Sequence, residues 1–162
     1  MIENIHTRVL NASPEQTAAL IASLSSKADR LWPRQWWPAM RFDRPLAEGA
    51  VGGHGPIRYV VERYRPDESI TFRFTGPRGF NGTHAFHIDP IDDHHTQLRH
   101  VLAMTTSGPA VLSWPLVFRP LHDALIEDSF NAAEASLLGV EPQPCRWSLY
   151  VRLLRWVAAR LL

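Results

Sequence analysis

The spacing of apolar positions changes period twice along the chain. Ile2 to Leu10 alternates loosely and predicts a strand. Asn11-Ala12-Ser13-Pro14-Glu15 is a helix-start signal, a capping serine followed by proline at the first helical position. It predicts a helix to about Leu24 with Ala18, Leu20, Ile21 and Leu24 turned inward. From Arg41 the period is two. Strands are predicted at Arg41–Leu46, Ile57–Arg65, Ile70–Thr75, Thr83–Asp89 and Thr96–Thr105. Gly49–Gly55 and Gly76–Gly82 read as loops, and Pro66–Ser69 and Pro90–His95 as turns. Ile70, Phe72 and Phe74 share one face, while Thr71, Arg73 and Thr75 share the other. Chain order gives roughly six or seven antiparallel strands.

After Ser107-Gly108-Pro109 the period becomes helical as far as Gly139, a natural stop. Pro115 and Pro120 make this helix irregular early and regular from about Phe118. Leu121, Leu125, Ala132 and Ala135 form one apolar stripe, and Ile126, Phe130, Ala133 and Leu137 an adjoining one. Asp123, Glu127, Asn131 and Glu134 occupy the narrow remainder. The apolar arc exceeds the roughly 100° of an ordinary surface helix, so other elements must wrap around it. A curved sheet closing on such a helix leaves an apolar hollow.

Between the first helix and the first hairpin, Lys27–Met40 places Trp32, Trp36 and Trp37 next to Pro33 and Pro38. A short broken helix or ordered loop is expected, serving either as a core anchor or as the rim of a pocket. Past Gly139, Glu141-Pro142-Gln143-Pro144 is a stiff linker. Arg146–Leu162 is an amphipathic helix with Leu149, Leu153, Leu154, Val157 and Leu161 on one face, four arginines and no acid. It is expected to pack on its own domain, to form a homodimer, or to lie on an anionic membrane.

Composition narrows the classes. The length of 162 residues suits one domain, and a charge of +1 leaves no electrostatic footprint for nucleic acid. The single cysteine, Cys145, excludes an internal disulfide and a cysteine-based zinc site. The early apolar stretch is broken by Glu3, His6 and Arg8, and no later run approaches a membrane span. A cytoplasmic location is expected. Lys27 is the only lysine among the 17 basic residues, a composition expected of a GC-rich bacterial genome.

Several residues carry candidate chemistry. His122 and Ser129 fall within the apolar arc of the long helix with Asp128 at its edge, so each needs a partner in the protein, a water or a ligand. His84 with Phe86, and His100 with Leu102 and Met104, share strand faces. If both faces point inward the two histidines meet across adjacent strands, where either can act as general acid or base. With the opposite register both lie in solvent. Asp92-Asp93-His94-His95 reads as a solvated turn, because adjacent residues there point apart and no HxH or HExxH spacing supports a metal. The glycine loops lack phosphate-binding order, there is no GxSxG elbow, and neither a metal nor a cofactor is expected.

The chain resembles the START-like superfamily, also called SRPBCC or Bet v 1-like, which includes proteins of polyketide cyclase/dehydrase type. The resemblance runs from about Ile5 to Gly139. It rests on Val60-Val61-Glu62-Arg63-Tyr64-Arg65-Pro66 leading into Ser69-Ile70-Thr71-Phe72-Arg73-Phe74. It continues through Thr83-His84-Ala85-Phe86-His87-Ile88-Asp89-Pro90, Thr96-Gln97-Leu98-Arg99-His100 and the helix through Asn131-Ala132-Ala133-Glu134. It implies an α+β helix-grip fold over residues 1–140, a seven-stranded antiparallel sheet around the long helix, with 141–162 as an addition. It also implies an internal cavity for a lipid, polyketide or quinone-like molecule. The expected walls are Phe72, Phe74, Phe86, Leu102, Met104, Phe118, Leu121 and Leu125, with His84, His100, His122 and Ser129 as polar contacts. A cofactor-free cyclase or dehydratase using a cavity histidine, and a protein-interaction module acting through the C-terminal helix, are the alternatives. No catalytic residue can be assigned from the pattern alone.

Overall fold

The computed structural model describes residues 1–161. Seven strands form one antiparallel sheet: β1 (Ile2–Leu10), β2 (Arg41–Phe42), β3 (Val51–His54), β4 (Ile57–Arg65), β5 (Ser69–Gly76), β6 (Phe80–Pro90) and β7 (Thr96–Thr106). Their order is β1-β7-β6-β5-β4-β3-β2, so the first strand crosses over to pair with the last. Register shifts at Arg58/Tyr59 and Val61/Arg63 bend β4 and help curl the sheet. Helix α1 (Pro14–Ala22) starts in a full capping box between Ser13 and Gln16. Below the sheet run the short α2 (Ala110–Ser113), a π-helical turn over Trp114–Phe118 and the long α3 (Arg119–Leu138). The wide turn falls between Pro115 and Pro120, where proline removes ladder donors, and Gly139 ends α3 at φ +67°. A fourth helix, α4 (Leu149–Leu161), packs on α3. This is the α+β helix-grip architecture expected from the sequence.

Two segments differ from expectation. Val51–His54, read as loop, is a strand, and the preceding strand is only Arg41–Phe42. Gly52 permits this hairpin: a Cβ there would sit 1.9 Å from the Arg41 carbonyl oxygen. Glycine lowers strand propensity while making close strand approach sterically feasible, which hid the element. Likewise β6 begins at Phe80, inside the predicted Gly76–Gly82 loop.

The polar stripe of α3 is only half exposed, because β1 lies along it. Alternation along β1 turns Asn4, His6 and Arg8 toward the helix. His6 bonds Glu127 through Nδ1 (2.8 Å) and Asp123 through Nε2 (3.1 Å), and Arg8 bridges Glu127 and Glu134. The long helix is thus gripped by apolar packing on one side and by charge pairing with an edge strand on the other.

Candidate functional site

A cavity of about 610 Å³ lies between the concave face of the sheet, α3 and the tryptophan segment. Its volume is that of a site for a drug-sized molecule. The sheet contributes Ile57, Phe74, Phe80, His84, His100 and Leu102. The helical side contributes Trp114, Val117, Phe118, Leu121, His122, Leu125 and Ile126. Trp32, Trp36, Trp37, Pro38, His54 and α4 residues including Leu154, Arg155 and Ala158 complete it.

Eight of the twelve residues expected to line a pocket do so: Phe74, His84, His100, Leu102, Phe118, Leu121, His122 and Leu125. Four do not. Phe72 is wholly buried behind the wall, stacked on His84 (4.8 Å between centroids) and covered by Phe42 and Tyr59. Phe86 sits edge-on beneath His100 in the main core. Met104 belongs to a second cluster with Phe80, Ala110 and Trp114. Ser129 donates its hydroxyl to the Leu31 carbonyl (2.8 Å), fastening the helix to the tryptophan segment. Facing inward on a strand or helix is necessary for lining a cavity, but neighbouring side chains decide which inward residues are covered.

Sequence reasoning missed His54, Phe80 and Trp114. Period two carried back from Phe86 and His84 through Gly82 reaches Phe80. His54 was hidden with its glycine-rich strand. It meets the Tyr59 hydroxyl at 3.0 Å and packs against Trp32 at 4.7 Å.

The histidines are the wall's distinctive groups. His84 and His100 are buried, with Nδ1 of the first 3.4 Å from Nε2 of the second. His122 lies beside His100, ring centroids 5.0 Å apart. Burial pushes all three below the ordinary 6.5, assisted by neighbouring histidines, although the nearby Asp123 carboxylate pulls His122 the other way. His54 is pushed down to about 3 by burial, then by His122 and Arg58. All four imidazoles are therefore neutral at pH 7, each with one N–H and one lone pair. His84 Nε2, His100 Nδ1 and both nitrogens of His122 are buried without a hydrogen-bond partner. Buried polar groups normally have partners, so these atoms are open to a ligand.

The tryptophan segment and the C-terminal extension close one side of the cavity, and Asp128 ties them together. Asp128, placed by sequence at the edge of the arc, is completely buried. It accepts from Trp37 Nε1 (2.7 Å), Trp147 Nε1 (2.9 Å) and the Cys145 backbone N–H. Arg155 lies over the Trp37 and Trp147 rings, 4.3 and 3.9 Å from their centroids, and donates to the Trp36 carbonyl. The tryptophan segment itself is held by Asp29, which accepts from the backbone N–H groups of Ser25, Leu31 and Trp32. The inward face of α4 is Val151, Leu154, Arg155 and Ala158, rotated from the apolar face read in the sequence. Leu149 and Leu153 are 81% and 55% exposed, and Trp156 is exposed beside them. The Leu161 side chain lies outside the described residues.

No family profile matches the sequence, and no curated protein matches it. Solved structures do match in shape. A protein from Thermobifida fusca is 16% identical with a TM-score of 0.66, covering 90% of this chain and 99% of that one. CalU16 from Micromonospora echinospora is 14% identical with a TM-score of 0.62, covering 98% and 84%. A START superfamily protein from Mycobacterium smegmatis is 15% identical with a TM-score of 0.59, covering 85% and 97%. The chain has the START-like, helix-grip fold. Among the described residues, no helix is long and apolar enough to cross a membrane.

Proposed function

We propose that the protein binds an apolar, aromatic small molecule with a few oxygens, of polyketide or quinone type, in the cavity between sheet and α3. The observation that carries this reading is an apolar chamber whose wall includes buried imidazole nitrogens without partners. The coupled pair has a chemical consequence. If His84 Nδ1–H donates to His100 Nε2, then His84 Nε2 accepts and His100 Nδ1–H donates. The opposite tautomer exchanges these roles. Either way the pair presents one donor and one acceptor, suited to a hydroxyl and carbonyl on one ring system.

A cofactor-free cyclase or dehydratase is the second reading, favoured by that same tautomer exchange, which can pass a proton through the pair. It ranks below binding because burial makes both imidazoles weak bases. The C-terminal helix supports a further element of the reading. Exposed Leu149, Leu153 and Trp156 lie close to Arg152 and Arg160, and Arg146–Leu162 contains no acid. That composition suits contact with an anionic membrane surface beside the cavity.

Native mass spectrometry of protein purified from its own host, beside a denatured sample, tests the main reading. A bound small molecule released on denaturation is the expected result. An empty protein with no thermal shift across lipids, polyketides and quinones overturns it. Replacing His84 or His100 by Ala separates the two readings, since an enzyme retains its substrate unconverted while a binder only loses affinity. Sedimentation with phosphatidylserine vesicles tests α4: binding should vanish in Trp156→Ser/Leu153→Ser, and equal binding to neutral vesicles counts against the electrostatic part.

A further inference from the structure

We propose that His6, His122 and Asp123 bind one divalent transition-metal ion, zinc by donor set, at the junction of β1 and α3 beside the cavity wall. One ligand atom from each of the three lies within 4.8 Å of the others. Asp123 Oδ1 is 3.1 Å from His6 Nε2 and 3.7 Å from His122 Nδ1, spacings that an ion with ligand bonds of about 2.0–2.2 Å bridges with little movement. Two imidazoles and one carboxylate are a donor set that first-row divalent ions accept. The sequence hid the site because His6 and His122 are far apart in the chain, and only the β1–α3 pairing brings them together.

Two further features fit an ion better than a plain ion-pair network. His6 Nδ1 bonds Glu127 at 2.8 Å, which leaves Nε2 as the ligating nitrogen in the neutral ring. A carboxylate behind a ligating histidine commonly orients it for metal binding. Hydrogen-bonded ion pairs satisfy His6, Glu127 and Asp123, but His122 approaches Asp123 only at 3.7 Å and both its nitrogens are buried without a hydrogen-bond partner. Nor do they account for Asn4 Oδ1, also buried and unpartnered, on an amide whose nitrogen donates to Asp123 at 2.9 Å. Turning that amide brings its oxygen toward the same point. An ion held by three protein groups keeps a position for water or for an oxygen of a bound molecule. Because His122 also lines the cavity, the ion connects to that chamber. The proposal stands whether or not the cavity holds an aromatic ligand.

The test is equilibrium dialysis of tag-free, chelator-stripped full chain against Zn²⁺, with metal analysis and thermal unfolding. One zinc per chain and a raised Tm are expected. Asp123→Asn and His6→Gln should weaken binding at least a hundredfold, and Glu127→Gln by about 10–100-fold as a positioning change. His122→Phe removes one ligand while leaving the His6–Asp123–Glu127 contacts intact, so it decides the matter if either of the first two variants fails to fold. Asp92→Asn/His95→Ala, in the exposed turn, should bind as the parent does. No zinc uptake, or uptake and Tm gain unchanged in His122→Phe, overturns the proposal.

Discussion

His84 and His100 face each other diagonally across β6 and β7, their nitrogens 3.4 Å apart, in a cavity wall where both residues are buried. Burial lowers both folded-state values from 6.5. A group with a depressed folded value takes up its proton more readily in the unfolded chain. The pair therefore costs nothing in stability well above pH 6.5 and destabilises progressively as pH falls below it. His6 acts oppositely: hydrogen bonding to Asp123 raises it, so its stabilisation is full below 6.5 and is lost as pH rises through the folded value. Urea unfolding from pH 7.5 to 5 should show stability falling at up to about 1.4 kcal/mol per pH unit for each buried histidine. His84→Leu/His100→Leu should flatten that slope. Parallel curves for variant and parent refute the assignment.

Asp128 serves three donors at once, so removing its carboxylate leaves two indole N–H groups and a backbone N–H without an acceptor. Each unsatisfied buried donor costs roughly 1–3 kcal/mol. Asp128→Ala is expected to lose about 3 kcal/mol or more in urea unfolding and to change tryptophan emission before the global transition. Asp128→Asn keeps an acceptor oxygen and should lose less. A loss under about 1 kcal/mol for the alanine variant contradicts the hub.

Much of this architecture can be read from residue pattern alone. The capping Ser13 before Pro14, the period-two run through Ile70, Phe72 and Phe74, and Gly139 at the end of α3 each fix an element through local sterics and hydrogen bonding. The inward register of His84 and His100 depends on which strand face is covered, and the sequence left that open. What local pattern could not supply was depth: Phe72 and Phe86 point inward as predicted yet lie beneath other rings. The partners of Asp123 and Glu127 were equally out of reach, because their polar stripe looks solvated until β1 crosses the sheet to meet it.

Gly52 makes a sharp steric prediction. The Arg41 carbonyl lies where a Cβ would stand, and the Phe42 ring is 2.7 Å from the same point. Gly52→Ala should therefore break the β2–β3 pairing. Amide exchange at Arg41, Phe42 and Gly53 should accelerate while that of β6 and β7 is retained. Unchanged protection at the hairpin would show that the two strands can separate to admit a methyl group.

Arg155 joins the last helix to the rest of the molecule through geometry rather than charge alone. Its guanidinium lies over Trp37 and Trp147 and donates to the Trp36 carbonyl at 2.6 Å. Desolvation lowers its basicity only against the partial support of Asp128. Arg155→Leu keeps apolar bulk but loses the stacked cation and the hydrogen bond, together about 1–3 kcal/mol. Arg155→Lys keeps charge without the planar fork and should recover only part of this. Limited proteolysis between Glu141 and Ser148 is the readout, since that stretch has no helix or strand. Cleavage should quicken in the order parent, Arg155→Lys, Arg155→Leu. Because Arg155 and Leu154 also line the cavity, the same order should appear in the off-rate of any cavity-bound probe. Faster cleavage with an unchanged off-rate would place the exit path elsewhere than beneath α4.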